Sequence, residues 1–322
     1  MILLWRITTR CNFACGFCAY DKRVGSARYA VDPGEVERIA RLAVQMTQAN
    51  GQPLLLSWLG GEPLLWPPLL DLSARLARLP GLALSMTSNG TRLTDPAVVR
   101  AVVRDFAEIT LSLDGPVDLH DRLRGAPGSF AQARAAVAAL IAARRASAAA
   151  VKLRINVVVM RDTLPHFAGL CRMLAEWGVD EITFNQLGGR DRPEFFAGQR
   201  LSLTDASRLA AQVPALQAEL GNRGVRLCSS PAYLRRIAAS SRDEALPVAD
   251  CRPGEDFLFI DELGRVAPCS FTGVQYGVPI AELRTVSDLA ALPRLFRQAR
   301  LANPASVCQD CPSTQYFGKF AA

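Results

Sequence analysis

Ile2-Leu3-Leu4-Trp5-Arg6-Ile7-Thr8 leads through Thr9 and Arg10 into Cys11-Asn12-Phe13-Ala14-Cys15-Gly16-Phe17-Cys18. A short apolar run that empties into a loop carrying three thiols reads as a β-strand with chemistry at its carboxyl end, the opening of a βα unit. The rhythm continues outward. Pro53 to Trp58, Leu82 to Thr87, Glu108 to Leu113, Lys152 to Val159 and Glu181 to Gln186 read as five further strands. Between them, apolar residues recur at helical spacing: Val36, Ile39, Ala40, Ala43 and Met46; Phe130, Ala133, Val137, Leu140 and Ile141; Phe167, Leu170, Cys171 and Leu174. Asp32-Pro33-Gly34-Glu35 offers a capping side chain before a proline at the first helical position, and Ser129-Phe130-Ala131-Gln132 has the capping-box pattern. The alanine-rich stretch from Ala131 to Ala150 keeps the helical period and reads as an ordinary packed helix.

Repeated βα units either spread into a doubly wound sheet or curve into a barrel, and periodicity alone does not choose. In both, the loops after the strands share one face. Here those loops are the cysteine loop, Gly60-Gly61-Glu62-Pro63, Ser88-Asn89-Gly90 and Asp114-Gly115. Beyond Leu187 the rhythm lapses into a polar loop, Gly188 to Arg200, then a helical stretch from Ser202 to Leu220. This divides the chain into a core over 1–200, a helical connector over 201–250 and a small module over 251–322.

At 322 residues, 50% hydrophobic and 21% charged, the chain can bury one large core with such a module attached. The N-terminal Met1 to Arg6 run is too short for a signal-peptide core, and no apolar stretch reaches the roughly 20 residues of a membrane helix. A cytoplasmic protein is expected. Nine cysteines, an odd number in tight clusters, suit metal ligation in a reducing compartment better than disulfides. With only His120 and His166, histidine-based metal chemistry has little to draw on. The net charge of +7 is spread along helices and forms no basic stripe, so nucleic acid is not an expected partner.

Cysteines spaced C-x3-C-x2-C can fill three corners of an iron-sulfur cubane and leave the fourth iron open for a ligand. A closed structural zinc site would need a fourth protein ligand, and neither histidine lies nearby in sequence. With Phe17 before the third cysteine, and with Gly60-Gly61-Glu62-Pro63, Thr87-Ser88-Asn89-Gly90 and Ser112-Leu113-Asp114-Gly115 following in strand order, the first 190 residues resemble the radical S-adenosylmethionine superfamily. The resemblance implies an α/β fold, a partial (βα)6 TIM-like barrel. It also implies a [4Fe-4S] cluster on Cys11, Cys15 and Cys18, whose unique iron chelates the amino and carboxylate groups of S-adenosylmethionine. It places Gly60, Gly61, Glu62, Asn89 and Ser112 at that cofactor, with the glycines letting backbone come close and Glu62 accepting from the ammonium.

Cys251, Cys269, Cys308 and Cys311 form a second set, with Gly264 opening a G-x4-C turn. Taken alone, C-x2-C plus two distant cysteines suits tetrahedral zinc equally well. In the context of the superfamily, the arrangement resembles the SPASM and twitch modules that carry auxiliary [4Fe-4S] clusters. Cys251 stands 13 positions before Gly264, as that pattern asks, but no cysteine follows Cys311, which favours the shorter twitch form with one cluster. Cys171 and Cys228 lie in apolar runs and are assigned to packing, Cys228 being the one spare candidate ligand.

A cluster saturated by four cysteines suits electron transfer. The resemblance therefore implies an oxidoreductase, similar to twitch-bearing dehydrogenases. In it a 5′-deoxyadenosyl radical abstracts hydrogen, and the auxiliary cluster assists a two-electron oxidation of a small biosynthetic molecule. One alternative is a maturase acting on a peptide or protein through crosslink, thioether or formylglycine chemistry. Another is a non-catalytic iron-sulfur or zinc redox regulator. A small-molecule substrate is favoured over a peptide, an electron donor such as a flavodoxin or ferredoxin is expected, and no membrane is. Asp114, Arg122 and Arg124 after the fourth strand, and Asn185, Gln186, Arg190 and Arg192 after the sixth, are the candidates to face substrate, with Asp114, Arg122 and Asn185 chosen as catalytic.

Overall fold

β1 (Ile2–Thr8) sends Leu3, Trp5 and Ile7 to one face, where each is fully buried, and Leu4 and Arg6 to the other. β2 (Leu54–Gly60), β3 (Leu82–Ser88) and β4 (Glu108–Ser112) are buried on both faces through their middle residues, β5 (Lys152–Val159) repeats the strict alternation, and β6 (Glu181–Gln186) is buried over its first four residues. Each strand pairs in parallel with the one before it in sequence. Helices cover the apolar face, so the stripe residues of Pro33–Ala49, Ser129–Ser147 and Phe167–Trp177 are buried there. Burying a large aliphatic side chain of this kind contributes roughly 1.5–3 kcal/mol, so the outer layer holds the sheet together. The opposite face carries Ser57, Thr110, Ser112, Asn156 and Asn185 and forms a polar lumen. This is the α/β partial barrel. The computed structural model describes residues 1–23, 27–189 and 192–320. Among the described residues no helix is long and apolar enough to cross a membrane.

Four short strands extend the sheet beyond the six expected ones. β7 (Arg226–Cys228) lies parallel to β6. At the other edge β8 (Phe257–Ile260) runs parallel to β1, followed by β9 (Arg265–Ala267) and β10 (Val278–Pro279) as antiparallel neighbours. The order is β10-β9-β8-β1-β2-β3-β4-β5-β6-β7, and among the described residues no strand pairing joins the two ends. Residues 251–322 thus supply strands to the same sheet as the core.

Local signals fared unevenly. Asp32 caps the first helix, its Oδ1 accepting from Glu35 N at 2.9 Å. Ser202 and Asp205 form a reciprocal capping box at the start of Leu203–Gly221. Ser129, in contrast, is not a cap. It is the first helical residue, and the free N–H groups of Gly128 and Phe130 are taken by Asp121 of the preceding helix at 2.6 and 2.8 Å. The polar stretch read as a loop after Leu187 includes a short helix, Pro193–Gln199.

Candidate active site

The cysteine loop leaves β1 against the turn that follows β2. Gly61 N donates to Thr8 O and Glu62 N to Arg10 O, both at 2.7 Å. A Cβ on Gly60 would stand 2.6 Å from Thr8 O, and one on Gly61 2.2 Å from Arg10 O, so both glycines are needed for this backbone contact. In this structure they serve the cysteine loop itself. Backbone N–H groups of Phe13 and Tyr20 point at Cys11 Sγ and Cys18 Sγ at 3.5 and 3.4 Å, which favours thiolate. Burial works against it, raising Cys11 and pushing Cys15 up to about 11, so ligation there must expel protons.

Glu62 is 1% exposed. Its Oε1 accepts from Ser88 Oγ at 2.8 Å and Leu64 N at 3.1 Å, and its Oε2 from Asn89 N at 2.7 Å. Burial raises its carboxyl to about 7 against the pull of those donors. A carboxylate offers about four lone-pair sites, so three bonds leave room for one more donor. Asn89 Nδ2 donates to Asn12 Oδ1 at 2.8 Å and stands 4.0 Å from Cys11 Sγ, while Asn12 Nδ2 donates to Thr91 Oγ1 at 3.0 Å. The loops after β1, β2 and β3 are therefore one bonded unit around Cys11.

Asp114 follows β4 in a closed ion pair. It is fully buried, its Oδ2 lies 2.7 Å from Arg124 Nη2, and its Oδ1 accepts from Val158 N at 2.8 Å. Its own N–H donates to His120 Nδ1 at 3.1 Å, and burial holds His120 down to about 4. Arg124, also buried, lies 5.4 Å over the Phe17 ring and 3.9 Å from Cys15 Sγ, while its carbonyl accepts from Ala14 N at 3.1 Å. The pair braces the cysteine loop, so Asp114 and Arg124, both expected to face substrate, are found buried against each other. Gly125 permits this contact, since it has φ +56° and a Cβ there would stand 2.5 Å from Ala14 O. Arg122 points to solvent and touches Asp162 at 3.4 Å, outside this network.

At the sixth strand, Asn185 sits in the lumen, its Nδ2 3.2 Å from Asn156 Oδ1 and its Oδ1 accepting from Lys319 Nζ at 2.5 Å. Ser112 is a half-buried lumen residue in register with Asn156. Gln186 turns the other way and donates to Ser240 Oγ at 2.8 Å. Arg192 binds Glu194 at 2.5 Å and reaches Asp21 at 3.2 Å. Asp21 is buried, and its Arg23 partner holds the Ala14 carbonyl at 2.9 Å, so Arg192 also supports the cysteine loop. Arg190 lies outside the described residues.

The four C-terminal cysteines line one cavity of about 300 Å³, together with Phe271, Val307 and Tyr316. Arg300 Nη1 donates to Cys251 Sγ at 3.2 Å, and Cys269 Sγ is 3.3 Å from Thr272 Oγ1. Burial pushes Cys311 up to about 11. Among the described residues no three His, Cys, Asp or Glu side chains converge on a single-ion site. The same holds for Cys11, Cys15 and Cys18, so neither cysteine set is drawn in around a single point. Cys171 and Cys228 are buried in packing, and burial pushes Cys171 up to about 12.

The family model described as "Radical SAM superfamily" matches residues 5–174, more than half of the chain. The chain belongs to the radical SAM superfamily. It is 26% identical over 289 residues to the AdoMet-dependent heme synthase of Oleidesulfovibrio alaskensis, covering 86% of this chain and 71% of that protein. It is 26% identical over 314 residues to the mycofactocin maturase MftC of Mycobacterium ulcerans, covering 96% of this chain and 79% of that one. Among solved structures, Streptococcus suis SuiB bound to S-adenosylmethionine superposes with a TM-score of 0.68 at 20% identity, covering 97% of this chain and 72% of that chain. This likeness confirms the partial-barrel fold. As a radical SAM enzyme the protein binds a [4Fe-4S] cluster and S-adenosylmethionine, and the three-thiol loop has the donor set such a cluster takes. Sequence reasoning missed Asn12, Asp21, Gly125 and Lys319. Gly125, placed after a helix ending in Arg122 and Arg124, carried a legible C-terminal capping signal, whereas Lys319 carried none.

Proposed function

We propose that this radical SAM enzyme is an oxidoreductase that removes two electrons from a small organic molecule, and that Cys251, Cys269, Cys308 and Cys311 hold an auxiliary [4Fe-4S] cluster serving that oxidation. The observation that supports it is the one cavity that all four cysteines line. Four thiolates fill every protein position of a cubane, whereas Cys11, Cys15 and Cys18 leave one iron free for a small ligand. The N-terminal cluster with S-adenosylmethionine supplies a 5′-deoxyadenosyl radical that can take hydrogen from an unactivated C–H bond. The residues around it hold and shield. Glu62, with Gly60, Gly61 and Asn89, offers acceptors for the amino-acid end of the cofactor, and Ser112 offers a hydroxyl from the lumen wall. The tail from Phe317 to Phe320 bonds to Ser230 and Arg226 and sends Lys319 to Asn185 on the lumen face, which favours a small substrate.

A peptide substrate is the second reading, favoured by the alignment with the mycofactocin maturase over 96% of this chain. One experiment separates them. Anaerobic, reconstituted protein is given reductant, S-adenosylmethionine and a deuterated cell extract split into small-molecule and peptide fractions. Deuterium should enter 5′-deoxyadenosine from the small-molecule fraction, and a Cys15→Ala variant should form none. Cys308→Ala with Cys311→Ala should lower iron and sulfide from about eight to about four each, keep cofactor cleavage and lose the oxidised product. Full iron in that variant would remove the auxiliary cluster from the account, and deuterium from the peptide fraction alone would establish the second reading.

A further inference from the structure

Only three of the 37 Lys and Arg residues are lysines, namely Lys22, Lys152 and Lys319. Lys319 is 3% exposed. The tail that carries it is fastened beside β7, with Ser230 Oγ donating to Phe317 O at 2.8 Å and Arg226 Nη2 to Phe320 O at 2.5 Å. From there the side chain enters the lumen, where Nζ donates to Asn185 Oδ1 at 2.5 Å and approaches Asn156 Oδ1 at 3.4 Å. Both acceptors are neutral. The neighbouring cation, Arg154, is already matched by Glu108 at 2.9 Å and Glu181 at 2.5 Å. The Phe320 ring lies beside both, 5.0 Å from the guanidinium and 5.1 Å from the ammonium. Among the described residues no carboxylate makes an ion pair with Lys319, and a buried cation without a counter-charge is costly.

We propose that Lys319 is the cationic anchor of an anion subsite in the barrel lumen, one that receives a carboxylate of the substrate while Asn156 and Asn185 orient the ammonium. An ammonium has three donors and the two amides take two, so one is left for a carboxylate oxygen. Asn156 and Asn185 are only half-buried although they face the inside of the barrel, so the lumen beside the ammonium is open to a small ligand. The groups that act electrostatically on Lys319 are Cys228 of β7 and Arg154 of β5. Burial is the larger influence and lowers its pKa to about 7. A bound carboxylate reverses that shift. The subsite rests on the lumen being the substrate space of the function proposed above.

The test is competitive acetylation of the full reconstituted chain between about pH 6 and 9, read residue by residue by mass spectrometry, with sodium formate as the probe against sodium chloride at equal ionic strength. Formate should slow acetylation of Lys319 at neutral pH by about tenfold, the effect of one pKa unit, and leave Lys22 unchanged. Asn185→Asp, which builds a carboxylate beside the ammonium, should slow Lys319 in chloride and abolish the formate effect. Equal rates in formate and chloride would overturn the subsite. So would a Lys319 that never reacts while Lys22 does, since the ammonium would then be sealed from the lumen. Neither readout depends on turnover, so failure here is distinct from failure of the oxidation reading.

Discussion

Glu62 shows how a residue can be recognised by motif and still have its physical state set by its surroundings. Buried among Ser88, Asn89 and Leu64, its carboxyl is raised from 4.5 to about 7 because desolvation outweighs those donors. A group with a raised folded pKa holds more protons folded than unfolded, so its contribution to stability is complete below pH 4.5 and is lost as pH rises through about 7. In urea titrations of the cluster-free protein, this group should make the fold about 3 kcal/mol less stable at pH 8 than at pH 4. Glu62→Gln should remove that share of the slope. An unchanged slope in the variant would show that the carboxyl titrates normally. The motif named the residue, but only the packing of β2 against β3 revealed that three bonds already occupy it. Asp114 makes the same point more sharply: its position after β4 reads as substrate-facing, while it is found buried against Arg124.

At the scale of elements, the six main strands were legible because each is a β-branched or leucine-rich run of five to eight residues, with β1 and β5 also alternating buried and half-buried positions. β7 to β10 were not, since each spans only two to four residues, too short for periodicity to register, and β7 and β8 pair with strands distant in sequence. The capping box expected from Ser129 is replaced for a related reason: the acceptor for this helix start comes from Asp121, in the preceding helix. Loop contacts make the sharpest prediction at this scale. Gly61→Ala should push the turn after β2 off the Arg10 carbonyl, cost about 2 kcal/mol or more, and lower iron retention by the N-terminal cysteines. Gly188→Ala, which meets nothing within 4 Å, should be near neutral in the same melting and iron assays. Equal behaviour of the two variants would mean that the loop contact does not hold the cysteines in place.

Across the whole molecule, residues 251–322 engage both ends of the sheet. β8 pairs with β1, and the tail bonds to Arg226 and Ser230 beside β7. A fragment of residues 1–250 would leave the backbone of β1 as an unpaired, apolar edge. It should aggregate in size-exclusion and light-scattering measurements where the full chain remains monodisperse, and a soluble, cooperatively melting fragment would show that the core folds without its C-terminal strands. The sequence by itself determined the βα order, the three-thiol loop with its Gly-Gly-Glu and Asn-Gly companions, and the four-cysteine set, because period and spacing are local properties. Tertiary structure decided what depends on contacts between remote segments: the buried ion pair of Asp114, the gathering of Cys251, Cys269, Cys308 and Cys311 around one cavity, and the burial of Lys319 against Asn185. A lone lysine in a tail has no pattern of its own, and its environment exists only once β5, β6 and β7 have closed around it.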